Sequence, residues 1–573
     1  MSDDDAGLWA AAETTQRFRR TARAALDVLL EHDPAGATAL GDHRFDDRLA
    51  DWSPEAVDAQ LRDLSDATGA LDDLDDTALD PEDAVDLELL RTRLTARQWT
   101  LAELAEHRRD PLLTLPGDAI YPLVARDTGD PDERARALAA RLGAVPAALE
   151  QARGLLGPMP RVHVETAALQ ADGAVALLGD PVESLLERAP GRRGEVDAAR
   201  NEAARALREH AAWLRDRADD ADADPRLGAQ AFAARLWYAL DTETSPDALL
   251  DRAESDLMAV EDQLADLAAR LAPRLGVTAD PSDRVRAVLD ALADAAPVRG
   301  DDVLARCRTH LASLTDLVRQ HDLVSLPDDP VDVIEMPEVR RGVAVAYCDA
   351  PGGLEPKPPG GQPPPTFLAV APAPGSWSPD RVVSFYREYN DHMLRDLTVH
   401  EAMPGHVLQL AHARRFRGST PVRAALRSGS FVEGWAVYAE QLVADVCEAA
   451  APQDLSALAL RAQQLKMRLR TTINTVLDVR VHTRRMTEAE AMTLMTQRGH
   501  QEPGEAAGKW RRALLTSAQL STYYVGASEV SALAAGLRAA RPPSPVRTVH
   551  DELLSHGSPS PRLLRALLGL ARS

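Results

Sequence analysis

Aromatic residues and cysteines are scarce in this chain. Phenylalanine, tryptophan and tyrosine together make up 4% of the 573 residues, whereas 45% of the residues are hydrophobic. The core must therefore be built from alanine, leucine and valine, which favours packed helices over β-sandwiches. The three cysteines, Cys307, Cys348 and Cys447, are too few and too scattered for a disulfide framework. For Cys348 we prefer a buried structural thiol to a thiol nucleophile.

The chain also lacks long hydrophobic runs and an excess of positive charge. No stretch of about 18 uncharged apolar residues is present, and residues 1–5 lack the basic and apolar regions of a signal peptide. The formal net charge of -24 argues against nucleic acid or an anionic membrane as a partner, because both bind basic surfaces. We therefore predict a soluble, cytoplasmic protein with neither kind of partner.

Alanines and leucines at helical spacing recur over most of the chain. Ser245-Pro246 and the capping box from Thr487 to Glu490 are typical of helix starts. The pattern changes after residue 330, where short β-branched stretches are bounded by proline and glycine. The sequence therefore predicts a mainly α fold with a small β-sheet, whose strands are 331–334, 343–347 and 366–370.

One stretch holds an unusual set of side chains. His400 and Glu401 are adjacent, His406 follows six residues after His400, and Glu433 lies 27 residues beyond His406. Two imidazoles and a carboxylate, with a further carboxylate beside the first imidazole, are the components of a catalytic zinc site with an open position for water.

The spacing of the two histidines requires a bend. On a straight helix, residues six apart point about 120° away from each other. Pro404 and Gly405 lie between the histidines, and a proline inside a helix removes a hydrogen bond and crowds the preceding turn. We predict a kinked or bulged turn there that returns His406 to the face of His400.

Four ordered blocks of this sequence resemble a known family. They are residues 400–406, 431–440, 478–482 and 519–526. They resemble the motifs of a large bacterial family catalogued as domain of unknown function 885, and the resemblance covers most of the chain. It implies a zinc metallopeptidase of mainly helical structure with an HExxPGH motif. It also implies Glu433 as the third metal ligand and assigns Tyr523 to the tyrosine position of the family.

Two positions depart from the pattern of that family. Arg480 stands where a glycine is typical, and Ser517-Ala518 stands where Pro-Gly is usual. The contacts with the substrate near Arg480, and the turn before Tyr523, are therefore expected to differ in this chain.

Further polar residues are candidates for supporting roles. Glu440 lies seven residues after Glu433, on the same helix face, and is predicted to accept the second N–H of a ligand histidine. Asp478 and His482 are four apart, so that either the aspartate orients the histidine to stabilise an oxyanion or the two form an ordinary surface pair.

Tyrosines near the C-terminal end offer a second way to stabilise an oxyanion. A phenol can hydrogen-bond the negatively charged oxygen that develops during amide hydrolysis. Tyr523 is the predicted donor because it matches the family's tyrosine, and Tyr524 is the fallback.

These parts together predict a zinc-dependent hydrolase of amide bonds, with peptides as the expected substrate. His400, His406 and Glu433 would hold Zn²⁺, and Glu401 would act as the general base on an activated water. We predict a catalytic region from residue 326 to 573 that carries the sheet near the active site, and an N-terminal helical region from 1 to 325.

Two other functions stay open at this point. The same metal and base could serve an amide hydrolase or cyclase that acts on a small, amino-acid-derived metabolite in biosynthesis. Alternatively, the chain could be a non-catalytic helical binding protein. Two hypotheses concern substrate contacts: the irregular segment 351–365 forms a lid or rim, and the strand at 366–371 holds the substrate backbone by strand addition.

Overall fold

The computed structural model describes residues 3–126, 129–336, 345–356, 364–374 and 377–571, with side chains from residue 13 onward except at residue 301. The structure is 72% helical, and its described residues contain one small sheet. The predicted mainly α fold with a small sheet is therefore confirmed.

The helices and strands are numbered in chain order. The helices are α1 (Asp3–Glu31), α2 (Pro34–Leu40), α3 (Pro54–Asp72), α4 (Pro81–Trp99), α5 (Gly117–Ala125), α6 (Pro131–Leu155), α7 (Arg161–Leu177), α8 (Asp180–Arg188), α9 (Arg193–Arg215), α10 (Ala229–Leu240), α11 (Pro246–Leu271), α12 (Arg284–Ala295), α13 (Val303–Gln320), α14 (Pro379–Glu388), α15 (Asp391–Glu401), α16 (His406–Arg415), α17 (Val422–Ala425), α18 (Gly429–Ala450), α19 (Leu455–Arg484), α20 (Glu488–Thr493), α21 (Pro503–Leu515), α22 (Thr522–Ala540), α23 (Val546–Leu554) and α24 (Pro561–Leu567). The strands are β1 (Val331–Glu335), β2 (Ala346–Asp349) and β3 (Thr366–Val370).

Short polar side chains fix where many of these helices begin. A serine or aspartate accepts a hydrogen bond from a backbone N–H in the first turn, and a proline follows it at the first helical position. This arrangement occurs at Ser53, Asp80, Ser245, Ser378 and Ser560. Thr487 and Glu490 form the capping box that the sequence predicts. No helix in the described parts of the chain combines the length and low charge needed to cross a bilayer.

The chain divides into two compact units. The first comprises residues 1–225, 351–364 and 417–426, and the second comprises the remaining residues up to 573. All predicted site residues lie in the second unit. The predicted boundary at residue 325 separates an N-terminal helical region from a catalytic region. It is a functional division and stays a prediction.

In the described residues of the first unit the named elements are all helices. One group of helices packs around α9, which contacts α6 and α7, and another consists of α1, α3 and α4. The segment 417–426 is attached to α4 by a buried ion pair in which Nε of Arg423 lies 2.7 Å from Oδ1 of Asp86.

The second unit is organised around two long helix pairs. In one pair α11 packs along α19, and in the other α18 packs along α22. Helix α15 lies against α13, α18, α19 and β2, so the residues near its C-terminal end are buried. Because α15 ends with His400 and Glu401, this packing holds both side chains inside the unit.

The small sheet has the strand order β1-β3-β2. β1 pairs with β3 in parallel, with Val331 opposite Thr366, and β2 pairs with β3 antiparallel, with Ala346 opposite Val370. The hypothesis that the 366–371 strand binds substrate by strand addition is wrong, because β3 is the central strand and both of its edges are paired. β2 is an edge strand instead.

The sheet agrees with the predicted strands in two of three positions. β1 and β3 occupy the predicted stretches. The second strand covers residues 346–349 rather than 343–347, and residues 343–344 lie outside the described residues. Nearly half of the predicted lid, residues 357–363, also lies outside them.

Candidate metal centre

The two histidines of the motif lie on two different helices. α15 ends at Glu401 and α16 begins at His406. The four residues between them form a turn with a cis peptide bond between Met403 and Pro404. Backbone hydrogen bonds close this turn, from Met403 N to Thr398 O at 3.1 Å and from Gly405 N to Val399 O at 2.9 Å. The predicted bent helix is therefore a complete break, which gives His406 an orientation independent of α15.

The break turns both imidazoles toward one carboxylate. Nε2 of His400 and Nε2 of His406 each lie 3.4 Å from Oε2 of Glu433 on α18. The two rings are almost perpendicular, at 88°, with their centroids 4.8 Å apart. The three ligand atoms lie within 4.8 Å of one another. The structure thus brings together the three residues that the sequence singles out as metal ligands.

The surroundings of these three groups fit a divalent cation. Oε2 of Glu433 is buried and accepts no hydrogen bond from the described residues. A buried carboxylate oxygen without a partner is strongly unfavourable, and a bound cation would remove that penalty. Two imidazole nitrogens and one carboxylate oxygen are a donor set that zinc accepts, and they leave a fourth tetrahedral position open.

The charges of the three groups also match a cation. Burial disfavours the charged form of Glu433, but the neighbouring histidines outweigh this effect and lower its pKa far below the usual range. Burial likewise opposes protonation of His400, yet the carboxylates of Glu433 and Glu440 beside its two ring nitrogens raise the pKa of His400. The cluster therefore holds a carboxylate that requires positive charge beside it, which either protons or a metal can supply.

Glu440 contacts the other side of the His400 ring. Its Oε1 lies 2.6 Å from Nδ1 of His400, and the residue is only 1% exposed. A carboxylate that accepts the Nδ1–H of a ligand histidine fixes the tautomer in which Nε2 is free to bind a metal. The contact is the one that the sequence predicts for Glu440, and its effect on metal binding stays a prediction.

Replacing Glu440 by glutamine is expected to weaken zinc binding by about 10- to 100-fold, because the ligand histidine loses a charged acceptor. The affinity is measured by competition with a chelating dye. Glu448→Gln is the matched control, since Glu448 lies on the same helix but pairs with Arg270 and Arg461. Equal zinc affinity in Glu440→Gln and the unmodified protein would contradict the predicted role.

Glu401 lies beside the three ligands without joining them. Its Oε2 accepts a hydrogen bond of 3.1 Å from the backbone N–H of Cys348, on the edge strand β2. Burial raises the pKa of Glu401, and the two histidines partly offset this rise. A buried carboxylate next to a metal position, held by one oxygen and with a raised pKa, is suited to accept a proton from water. The sequence does not indicate this contact, because every residue except proline has a backbone N–H that could donate to Glu401.

The packing of α18 against α22 brings Tyr523 close to the three metal-ligand candidates. A Cβ atom added to Gly434 would lie 2.3 Å from the backbone carbonyl carbon of Gly526, so α18 and α22 touch through their backbones. Tyr523 lies one turn before Gly526, and its ring centroid is 6.5 Å from that of His400. The two glycines are therefore what allows Tyr523 to approach the cluster, a role that sequence reasoning missed although both lie in the motif blocks.

Three other residues near the cluster were not identified from the sequence. Trp435 donates from Nε1 to the carbonyl of Pro404 at 2.8 Å and so holds the turn between the two helices. His550 packs edge-on against Trp435 at 5.5 Å. Asp396 is buried one turn before His400, and burial together with Glu440 raises its pKa. Only Trp435 lies within a motif block.

His482 is not brought to the cluster in the way that the sequence predicts. The backbone N–H of Leu227 lies 3.3 Å from Nδ1, and Nε2 lies 2.9 Å from the carbonyl oxygen of Thr516. The ring also stacks on Phe232. With both nitrogens engaged by backbone groups, His482 joins α10, α19 and the segment after α21, and the geometry gives no support to an oxyanion role.

Asp478 fixes the turn that precedes Tyr523. It accepts hydrogen bonds from the backbone N–H groups of Ala518 and Ser521, at 3.1 and 2.9 Å, and from the Ser521 hydroxyl at 2.8 Å. Its distance to His482 is 3.9 Å, too long for a hydrogen bond. Ala518 has a positive φ of 62°, a conformation that favours glycine, which is the residue usual in the resembled family. Asp478 thus orients the tyrosine segment rather than His482.

Tyr524 points away from the cluster. Its hydroxyl donates to Oδ2 of Asp256 on α11 at 2.5 Å. Tyr523, in contrast, receives hydrogen bonds at its hydroxyl from Nη2 of Arg512 at 3.2 Å and from Nε2 of Gln519 at 3.4 Å. Of the two predicted tyrosines, the structure therefore brings Tyr523 to the candidate site.

The buried histidines predict a loss of stability in acid. Burial lowers the pKa of His482 and of His550 to about 4. In the unfolded chain the value is about 6.5, so the unfolded state binds more protons between these two values. The free energy of unfolding should fall as the pH decreases through this window, by up to about 1.4 kcal/mol per pH unit for each histidine.

Urea unfolding at several pH values measures this slope. Asp478 acts in the opposite direction, because burial raises its pKa to about 7. The comparison is therefore made with His550→Gln, which should flatten the slope by about one proton. An unchanged slope in this variant would show that His550 is not neutral in the folded protein.

One protein family matches almost the whole sequence of this chain. The family model DUF885, described as a bacterial protein of unknown function, matches residues 34–568. The chain belongs to the DUF885 family. No curated protein matches it.

Two solved structures of unestablished function share the architecture. One is from Shewanella oneidensis and is described as a candidate lipoprotein of unknown function. It is 26% identical in sequence, the match covers 96% of this chain and 99% of the Shewanella chain, and the TM-score is 0.79. The other is described as a candidate lipoprotein from Colwellia psychrerythraea. It is 15% identical in sequence, the match covers 96% of this chain and 98% of the Colwellia chain, and the TM-score is 0.75. The DUF885 fold thus extends over nearly the whole chain.

Proposed function

We propose that this DUF885 protein is a zinc-dependent hydrolase of amide bonds, with peptides as substrate. The observation that carries the proposal is the convergence of His400, His406 and Glu433 on one point, where a buried carboxylate oxygen lacks a hydrogen-bond partner. A carboxylate that is not a ligand, Glu401, lies next to this point and is oriented by a backbone amide.

The chain's own residues divide the chemistry among them. His400, His406 and Glu433 would hold Zn²⁺, which when bound lowers the pKa of water and polarises the amide carbonyl. Glu401 would take a proton from that water with its second carboxylate oxygen and pass it to the leaving amine. Tyr523 would donate a hydrogen bond to the negative charge that develops on the carbonyl oxygen. Trp435 and Glu440 keep the two imidazoles in place.

Metal analysis and peptide cleavage on the purified protein test the proposal. We expect about one zinc per chain, cleavage of a mixed peptide library, loss of cleavage after chelation and recovery on adding zinc. A zinc-bearing protein that cleaves no peptide would favour the small-metabolite hydrolase or cyclase, and a protein that binds no metal would favour the binding protein. The cytoplasmic location inferred from the sequence stays a prediction.

A further inference from the structure

Arg512, on α21, is a half-buried cation next to the candidate site. Its Nη2 donates to the Tyr523 hydroxyl at 3.2 Å. Among the described residues, no carboxylate oxygen lies within 4.0 Å of its guanidinium nitrogens. Arg470 shows the more usual arrangement, since its guanidinium pairs with Glu388 and Glu505. Asp478 attracts this guanidinium without pairing with it, and in a chain of net charge -24 a cation without a carboxylate in ion-pair contact is unexpected.

Lys509 adds a second cation one turn earlier on the same helix. It is 9% exposed, and within the described parts of the chain it too has no carboxylate oxygen within 4.0 Å. Burial and the guanidinium groups of Arg470 and Arg512 lower its pKa to about 7, although Glu505 opposes this shift. Burial without a paired anion favours the neutral amine, and a bound anion would favour the ammonium form.

Tyr523 connects Arg512 to the metal ligands. Its ring lies 6.5 Å from the His400 ring, while its hydroxyl contacts Arg512. A substrate whose amide carbonyl approaches Tyr523 would therefore place a neighbouring group close to Arg512. Guanidinium groups bind carboxylates through two parallel hydrogen bonds, which gives both affinity and orientation.

We propose that Arg512, with Lys509 one turn away on the same helix, binds a carboxylate of the substrate, and that the free C terminus of a peptide supplies this carboxylate. The inference rests on the proposed function, because it names the substrate class of the same site. It predicts a preference for peptides cut near a free C-terminal end over peptides whose C terminus is blocked.

Two pools of the same short peptides test the inference, one with free C-terminal carboxylates and one with C-terminal amides. For the unmodified protein we expect kcat/KM to be about 10- to 100-fold higher on the acid pool. This ratio corresponds to the free energy of one hydrogen bond between charged groups. Arg512→Gln should remove this preference by slowing cleavage of the acids more than that of the amides. Arg511→Gln, which removes a charge from the same helix, should preserve it.

A merely structural role of Arg512 gives a different result. If Arg512 only positions Tyr523, Arg512→Gln slows cleavage of both pools equally and the preference for acids survives, which would overturn the inference. Equal cleavage of acids and amides by the unmodified protein would overturn it as well, while leaving the hydrolase proposal intact.

A binding measurement separates this inference from the proposed hydrolysis. Glu401→Gln protein is incubated with both pools, and the retained peptides are identified by affinity-selection mass spectrometry. Enrichment of acids over amides, lost in Glu401→Gln/Arg512→Gln, supports carboxylate recognition even if the unmodified protein cleaves nothing, in which case only the hydrolase proposal fails. Retention of neither pool, or of both equally, contradicts the inference.

Discussion

Replacing Glu401 by glutamine is expected to lower kcat/KM for amide hydrolysis by about 10²- to 10⁴-fold and to leave zinc bound. Glutamine keeps the size of the side chain and retains an oxygen that can accept the Cys348 N–H. It cannot take a proton from water, so it removes the general base alone. Zinc content by mass spectrometry and cleavage kinetics on the same preparation measure the two effects.

His400→Ala provides the contrast. Loss of one of three ligands should remove both the zinc and the activity, because His400 contacts Glu433 and Glu440 from its two ring nitrogens. A Glu401→Gln protein that retains full activity would exclude Glu401 as the base. A Glu401→Gln protein that has lost its zinc would instead show that Glu401 helps to hold the metal.

Replacing Gly434 by alanine is expected to damage both the fold and the metal centre. The new methyl group would lie 2.3 Å from the Gly526 carbonyl carbon, a distance that real contacts do not reach. Helices α18 and α22 must separate, and forced overpacking of this kind lowers the free energy of unfolding by about 1–3 kcal/mol or more. Because Glu433 is the adjacent residue and Tyr523 lies on the opposite helix, zinc affinity should fall as well.

Gly508→Ala is the control for this substitution. Gly508 lies in α21, and an added Cβ there meets nothing within 4 Å. Alanine at this position should stabilise the helix by up to about 1 kcal/mol. Urea unfolding and zinc titration of both variants make the comparison. Unchanged stability and zinc affinity in Gly434→Ala would mean that the helix crossing is wider than the structure has it.

The sequence predicted the parts of this molecule that depend on local pattern. Helical periodicity gave the fold class, and the residues around Ser245 and Thr487 gave the correct helix starts, because caps act within one turn. The three metal-ligand candidates followed from the spacing of His400 and His406 and from a family resemblance that located Glu433. The break between the histidines was foreseen only as a bend.

Features that depend on distant parts of the chain could not be predicted in this way. Strand order is one, since nothing within residues 366–370 shows that two other strands flank them. The surroundings of His482 are another: its spacing from Asp478 suggested a pair, whereas Leu227 and Thr516 determine its contacts. Arg512 gave no signal at all, because an unpaired arginine looks like any other arginine until its neighbours are known.

The contact between Glu401 and the Cys348 amide has an evolutionary consequence. Since the donor is main chain, every amino acid at position 348 except proline supplies the N–H that orients the proposed base. Selection on the side chain at this position therefore comes from its packing against the hydrophobic core and not from the contact with Glu401. Substituting an ester for that peptide link, by chemical synthesis or ligation, would be the direct way to delete the interaction.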